Sequence, residues 1–302
     1  MNDYSCVAAG VDFRAPSESA LRQAIRIAER ATARLHVIHV IDTFVITELE
    51  RSLQPEQRDL RDGLRRDALN EWTAFAKEIP GANRLSLDVV INSRSVGLAQ
   101  RASSLRADLL VVGAYSSREP DVGAGTVATS CVRECAADVL LVREDQRGPF
   151  GLVVAATDLS ASARLAATRA ARIAAQDGAE LQLLHVIESP LEMLGFPSNT
   201  AAATSQLRES IRASADTALR ELSEELQATH PTLVIRTCVL DGGVARRSIP
   251  KHAKALEADL LVLGARGRGG LRELVLGTTA ESALRRSHSS VLVVKDSPPR
   301  EG

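Results

Sequence analysis

Ala258-Asp259-Leu260-Leu261-Val262-Leu263-Gly264-Ala265-Arg266-Gly267, followed by Gly277-Thr278-Thr279, sets an apolar strand in front of a glycine loop and a hydroxyl-rich helix start. The run Leu260 to Leu263 is apolar on both faces. Such a strand needs helices on both sides, and helical crossovers make its neighbours parallel. Gly264 and Gly267 let backbone N–H groups turn toward an anion with no Cβ in the way. A helix from Gly277-Thr278 to about Arg286 adds open N–H groups and a positive dipole end. Phosphate is expected there.

The same text stands elsewhere in the chain. Ala107-Asp108-Leu109-Leu110-Val111-Val112-Gly113-Ala114 matches Ala258 to Ala265, and Ala137 to Val142 answers Ser289 to Val294. Cys6 to Asp12 matches Leu152 to Asp158, and Leu35 to Ile41, with His39, matches Leu181 to Ile187, with His185. A repeat this long means two homologous halves. The join falls near Gln146-Arg147-Gly148-Pro149, which gives domains 1–147 and 148–302. Helical periodicity covers 19–33 and 59–79 in the first half, and 162–175 and 206–226 in the second. Each half is therefore expected to be a doubly wound, five-stranded parallel α/β domain, with any ligand at the carboxyl ends of the strands near the switch in strand order.

Composition narrows the function. Lys and Arg number 37 against 38 Asp and Glu, a formal charge of −1, so no excess of positive charge exists to neutralise a nucleic-acid backbone. Aromatics at 3% leave few platforms for stacking bases. No apolar run approaches the roughly 20 residues a membrane helix needs, and Met1 to Tyr4 does not read as a signal peptide. A cytoplasmic protein without nucleic-acid or membrane partners is expected. Its four cysteines make no disulfide framework. Cys131 and Cys135 read as buried small apolar residues rather than metal ligands.

In the second half three segments deliver residues to one end of the sheet: Asp158 from the first strand, His185-Val186 from the second and Gly264 from the fourth. The spacing Gly-x2-Gly-x9-Gly-Ser/Thr, from Gly264 to Thr278, resembles the phosphate loop of the universal stress protein family, in its ATP-binding subgroup. Ala156-Thr157-Asp158 and Leu184 to Ile187 resemble the family's first and second strand endings. The resemblance spans nearly the whole chain as a tandem pair. It implies strand order 3-2-1-4-5, adenine near Asp158 and the Val186 backbone, ribose near Asp158 and Gly264, and phosphates over Gly267, Gly277, Thr278 and Thr279. It also implies pairing of the halves through their last strands, Val139–Val142 and Val291–Val294, and a nucleotide-dependent stress or signalling role with a protein partner still to be identified. A homodimer is compatible with it.

Elementary chemistry agrees. A carboxylate cannot favour phosphate, so Asp158 belongs at the ribose or adenine end or serves as a helix cap. Arg266 and Arg268 flank the loop, either screening phosphate or solvated. His185, repeated as His39, suits a structural hydrogen bond. Magnesium alongside ATP is left open.

The first half departs from the pattern. Ser116 stands where the second glycine should be, Gly125-Thr126 comes one residue early, and Glu119 and Asp121 enter the loop. Acidic groups repel a triphosphate, so ATP is expected in the second half and weakly or not at all in the first. Ser116, Ser117 and Thr126 could instead form a different anion site. No P-loop, kinase motif or nucleophile elbow occurs, which favours binding; the alternatives are a structural or partner-binding stress protein with no ATP role, and a slow ATPase. Residues 189–205, with Pro190, Gly195 and Pro197, read as a lid or a connector.

Overall fold

The computed structural model describes residues 4–52, 60–115, 125–188, 202–267 and 276–295. It divides into two compact units, Met1–Gly148 and Pro149–Gly302. The expected loop residues Ser116, Ser117, Glu119, Asp121 and Arg268, and residues 189–201 of the expected lid, lie outside the described residues.

The first unit runs β1 (Cys6–Gly10), α1 (Ala15–Ala31), β2 (Arg34–Asp42), α2 (Thr43–Ser52), α3 (Leu60–Lys77), a short 3-10 turn (Ala82–Arg84), β3 (Leu87–Asn92), α4 (Arg94–Ser104), β4 (Leu109–Tyr115), α5 (Thr126–Glu134) and β5 (Asp138–Arg143). Its strands lie in the order β3-β2-β1-β4-β5, all parallel. The second runs β6 (Leu152–Ala156), α6 (Ala161–Asp177), β7 (Glu180–Ile187), α7 (Ala202–Thr229), β8 (Ile235–Asp241), α8 (Ala245–Ala255), β9 (Leu260–Gly264), α9 (Thr278–Arg286) and β10 (Ser290–Val294). Its order is β8-β7-β6-β9-β10, again all parallel. Each unit thus has the expected order 3-2-1-4-5.

The apolar runs become strands buried on both faces: every residue of β1 and β10, and all of β9 except Gly264, is buried. Helices can approach such strands closely where their side chains are small. α6 turns Ala163, Ala166, Ala167, Ala170, Ala171 and Ala174 inward, and little more than a methyl group per turn separates its backbone from the sheet.

The duplication extends to backbone detail. Left-handed conformations recur at matching places: Phe13 and Leu159 after the first strand, Thr32 and Gly178 at the ends of α1 and α6, and Arg106 and Glu257 before the fourth strand. Gly178 takes this conformation without a Cβ penalty, whereas Thr32 pays it. The aspartates of the repeated Ala-Asp-Leu-Leu stretch do matching work. Asp108 Oδ2 accepts from the N–H groups of Ser5 and Cys6 at 2.7 and 3.0 Å. Asp259 Oδ2 accepts from those of Gly151 and Leu152, also at 2.7 and 3.0 Å. Each carboxylate ties the start of the first strand to the start of the fourth. Among the described residues no helix is long and apolar enough to cross a membrane.

Candidate functional site

In the second unit the strand order reverses at β6, whose neighbours β7 and β9 are reached by crossovers in opposite directions. A crevice is expected at the carboxyl ends of such strands. The chain leaves β6 through Thr157 and Asp158. Thr157 N–H donates to the Leu184 carbonyl at 2.8 Å, and His185 Nδ1 lies 2.7 Å from the Thr157 carbonyl. His39 Nδ1 makes the same bond to the Val11 carbonyl, at 2.9 Å, in the first unit. Both histidines are therefore structural ties between the first two strand ends, as their repetition suggests.

Asp158 is not the helix cap. Ser160 is: its hydroxyl accepts from the Ala163 N–H at 3.3 Å. Asp158 stands behind it, with Oδ1 accepting from Ser160 N–H at 3.0 Å and from Ser160 Oγ–H at 2.5 Å. Its other oxygen, Oδ2, faces the glycine loop, where a Cβ added to Gly267 would lie 2.9 Å from it. Gly264 is equally constrained. A Cβ there would lie 2.8 Å from Ser162 Oγ, a buried hydroxyl with no hydrogen-bond partner among the described residues.

The loop is fixed at both ends. Ala265 N–H donates to the Val294 carbonyl at 2.7 Å, and Gly277 N–H donates to the Ala265 carbonyl at 2.8 Å. The second bond seats the start of α9 against the loop. Gly277 is the N-cap of α9 and no side chain caps the helix. Its first internal bond runs from Glu281 N–H to the Gly277 carbonyl at 2.9 Å, and among the described residues nothing accepts from the N–H groups of Thr278, Thr279 and Ala280. Three open donors therefore sit at the positive end of a helix dipole.

These parts enclose a cavity of about 510 Å³, within the range of small-molecule sites. Asp158 and Val186 line one side; Gly264, Arg266 and Gly267 line the loop side; Gly277, Thr278 and Thr279 line the helix side. Eight of the nine residues singled out in the sequence thus meet around one space, and the ninth, Arg268, lies outside the described residues. The structure adds Ala163, Ala245, Ile249, Leu263 and Leu276, apolar residues that carry no chemical signature. Ala245 and Ile249 are one turn apart on α8, so a single face of that helix forms a wall.

A model of the universal stress protein family matches residues 4–143 and again 149–295. The chain belongs to that family. Universal stress protein Rv2623 of Mycobacterium tuberculosis is 26% identical over 304 residues, covering 95% of each chain. Universal stress protein A homolog 1 of Coxiella burnetii is 34% identical over 146 residues, covering 47% of this chain and 94% of its own. Among solved structures, a universal stress protein from Archaeoglobus fulgidus superposes with a TM-score of 0.66 at 17% identity, covering 98% of this chain and all of that one, a likeness of fold. The tandem universal stress protein architecture therefore holds over the whole chain.

The family's two copies here are unequal at the matching place. In the first unit the N-cap of α1 is Arg14, which makes no side-chain cap. Asp12 Oδ2 lies 4.0 Å from Arg14 Nε, with the Asp12 side chain 61% exposed. Pro16 takes the position of Ser162, and a Cβ on Gly113 would lie 2.5 Å from its carbonyl carbon.

Proposed function

We propose that the second half binds ATP and acts in the cytoplasm as a nucleotide-dependent stress or signalling module, whose occupied and empty forms present different surfaces to a protein partner. What carries this reading is the uncapped start of α9. Thr278, Thr279 and Ala280, whose N–H groups have no acceptor among the described residues, line the cavity beside Gly264 and Gly267 at a helix end that attracts anions. The phosphates belong there, with the Thr278 and Thr279 hydroxyls as further donors and Arg266 screening charge.

Asp158 belongs to the ribose, where an ionised carboxylate accepts from hydroxyl groups. The adenine fits the apolar side, near the Val186 backbone, Ala163 and Ile249. The chain's work in this scheme is to bind and orient. Among the described residues no three or more His, Cys, Asp or Glu side chains gather as a metal site, so a magnesium ion would enter on the phosphates. Among the described lining residues Asp158 is the one carboxylate, and its assignment to the sugar end favours retention of ATP over its hydrolysis.

ATP titration by calorimetry tests the proposal. One site per chain is expected, with adenine nucleotide released when protein purified from cells is denatured. Two equal sites, or no heat and no released nucleotide, would contradict it.

A further inference from the structure

We propose that Ser282 is a positioning residue of the cavity, its hydroxyl tying the start of α9 to the start of α8 through the Arg246 carbonyl. Its effect on ligand affinity rests on the nucleotide-binding reading above; the tie itself does not.

Pro250 lies inside α8. Proline has no N–H, so the carbonyl four residues back, that of Arg246, loses its partner within the helix. Ser282 Oγ–H, from α9, donates to that carbonyl at 2.5 Å. A bond that would close a turn of α8 is thereby replaced by one that joins two helices.

Both joined helices line the cavity. Ala245 and Ile249 line it from α8, and Gly277 to Ala280 line it from α9. Ser282 is one turn beyond Thr278, so the tie acts within a turn of the open amides. The first turn of α8 is held from the other side as well, because Glu188 Oε1, just past β7, accepts from the Ala245 N–H at 2.6 Å. The wall formed by α8 is thus referenced both to the sheet and to the phosphate-side helix. The Ser282 bond is solvent-exposed, where water can also satisfy a carbonyl. Its consequence is therefore one of spacing more than of stability.

The first half is an internal control. Ala99 stands at the place of Pro250 and keeps its N–H for the Ser95 carbonyl, while Ser130 stands at the place of Ser282. Among the described residues the Ser130 hydroxyl makes no bond to α4. The first half joins the matching helices differently, through Ser95 Oγ–H donating to Glu134 Oε1 at 3.3 Å; the proline and the serine bond to the carbonyl it frees occur together, in the half with the complete glycine pattern.

The test uses the full chain, with amide hydrogen exchange at Glu281 to Leu284 measured without nucleotide and ATP affinity measured by calorimetry. Ser282→Ala is expected to speed exchange there about fivefold and to weaken ATP by about fivefold. Ser282→Thr, which keeps the hydroxyl, is expected to restore both. Adding Pro250→Ala to Ser282→Ala returns an N–H to α8 but no link to α9, so both defects should persist. Unchanged exchange in Ser282→Ala overturns the tie. Recovery in the double variant also overturns it, because satisfying the carbonyl would then be enough. If the wild type bound no ATP, the nucleotide reading would fall, and exchange alone would still decide the tie.

Discussion

Gly267 lies against the carboxylate of Asp158, so closely that a methyl group on its Cα would sit 2.9 Å from Oδ2. The loop after β9 and the end of β6 touch at this point, and any side chain at 267 must displace the carboxylate. Gly267 is itself exposed, so little packing is at stake. Gly267→Val is expected to weaken ATP at least tenfold, about 1.4 kcal/mol, with the melting temperature nearly unchanged. A variant that melts normally and still titrates like wild type would refute the placement of sugar and phosphate on either side of this contact.

Gly113 in β4 and Gly264 at the end of β9 stand at matching positions but meet different neighbours. A Cβ at 113 would lie 2.5 and 2.6 Å from the backbone C and O of Pro16, atoms that move only with α1. A Cβ at 264 would meet the Ser162 hydroxyl at 2.8 Å, a group that can rotate, and the Arg266 carbonyl at 3.1 Å. Gly113→Ala should therefore cost stability in the overpacking range, about 1–3 kcal/mol, while leaving the second half's ATP affinity intact. Gly264→Ala should cost less stability and more affinity. Urea unfolding with parallel ATP titrations would show the order reversed if this account of the two glycines is wrong.

His252 supplies a pH dependence. Its Nε2 lies 3.0 Å from Gln182 Oε1, and burial pushes its pKa below the ordinary 6.5. The folded state then binds fewer protons than the unfolded state between the lowered value and 6.5. This share of stability is complete above the ordinary value and is lost as the pH falls through that window. The urea midpoint of His252→Gln should fall less steeply than that of wild type below about pH 6.5. Parallel midpoints would remove His252 from the account.

The cysteines give a chemical test. Burial pushes the Cys131 thiol up to about 12, helped by the nearby Cys135 and Glu134. Cys6 and Cys135 are also buried, and Cys238 is half-buried with its thiol raised by burial. Iodoacetamide at about pH 8 should modify Cys238 slowly and spare the other three until the protein is unfolded, since only the thiolate reacts. Rapid native labelling of Cys131 would show that α5 opens.

Much of the fold could be read from the chain because every strand signal occurs twice, and a run such as Val291 to Val294 has few other uses. Helix ends were less legible. α1 starts at Ala15, four residues before the periodic segment, because Pro16 fits a first helical turn while contributing nothing to the pattern. The site was legible where it consists of glycines and hydroxyls. It was not legible at Ala163, Ala245 and Ile249, since small apolar side chains look alike in a wall and in a core. Asp158 and Ser160 compete for the same cap in the sequence, and only the geometry gives the role to Ser160. Pro250 argues against a helix over 245–255, and nothing in the sequence announces that Ser282, 32 positions away, takes up the carbonyl it leaves.

Two of the helices that line the cavity are finished differently: Ser160 closes α6, and among the described residues no side chain closes α9. An occupant therefore meets an oriented slot, with one end that welcomes negative charge and another that already holds some. A ligand entered backwards would set like charges face to face, so directionality follows from how two helices begin. Adenosine, lacking a charged tail, would leave the welcoming end to water and should be held far more loosely than ADP or ATP.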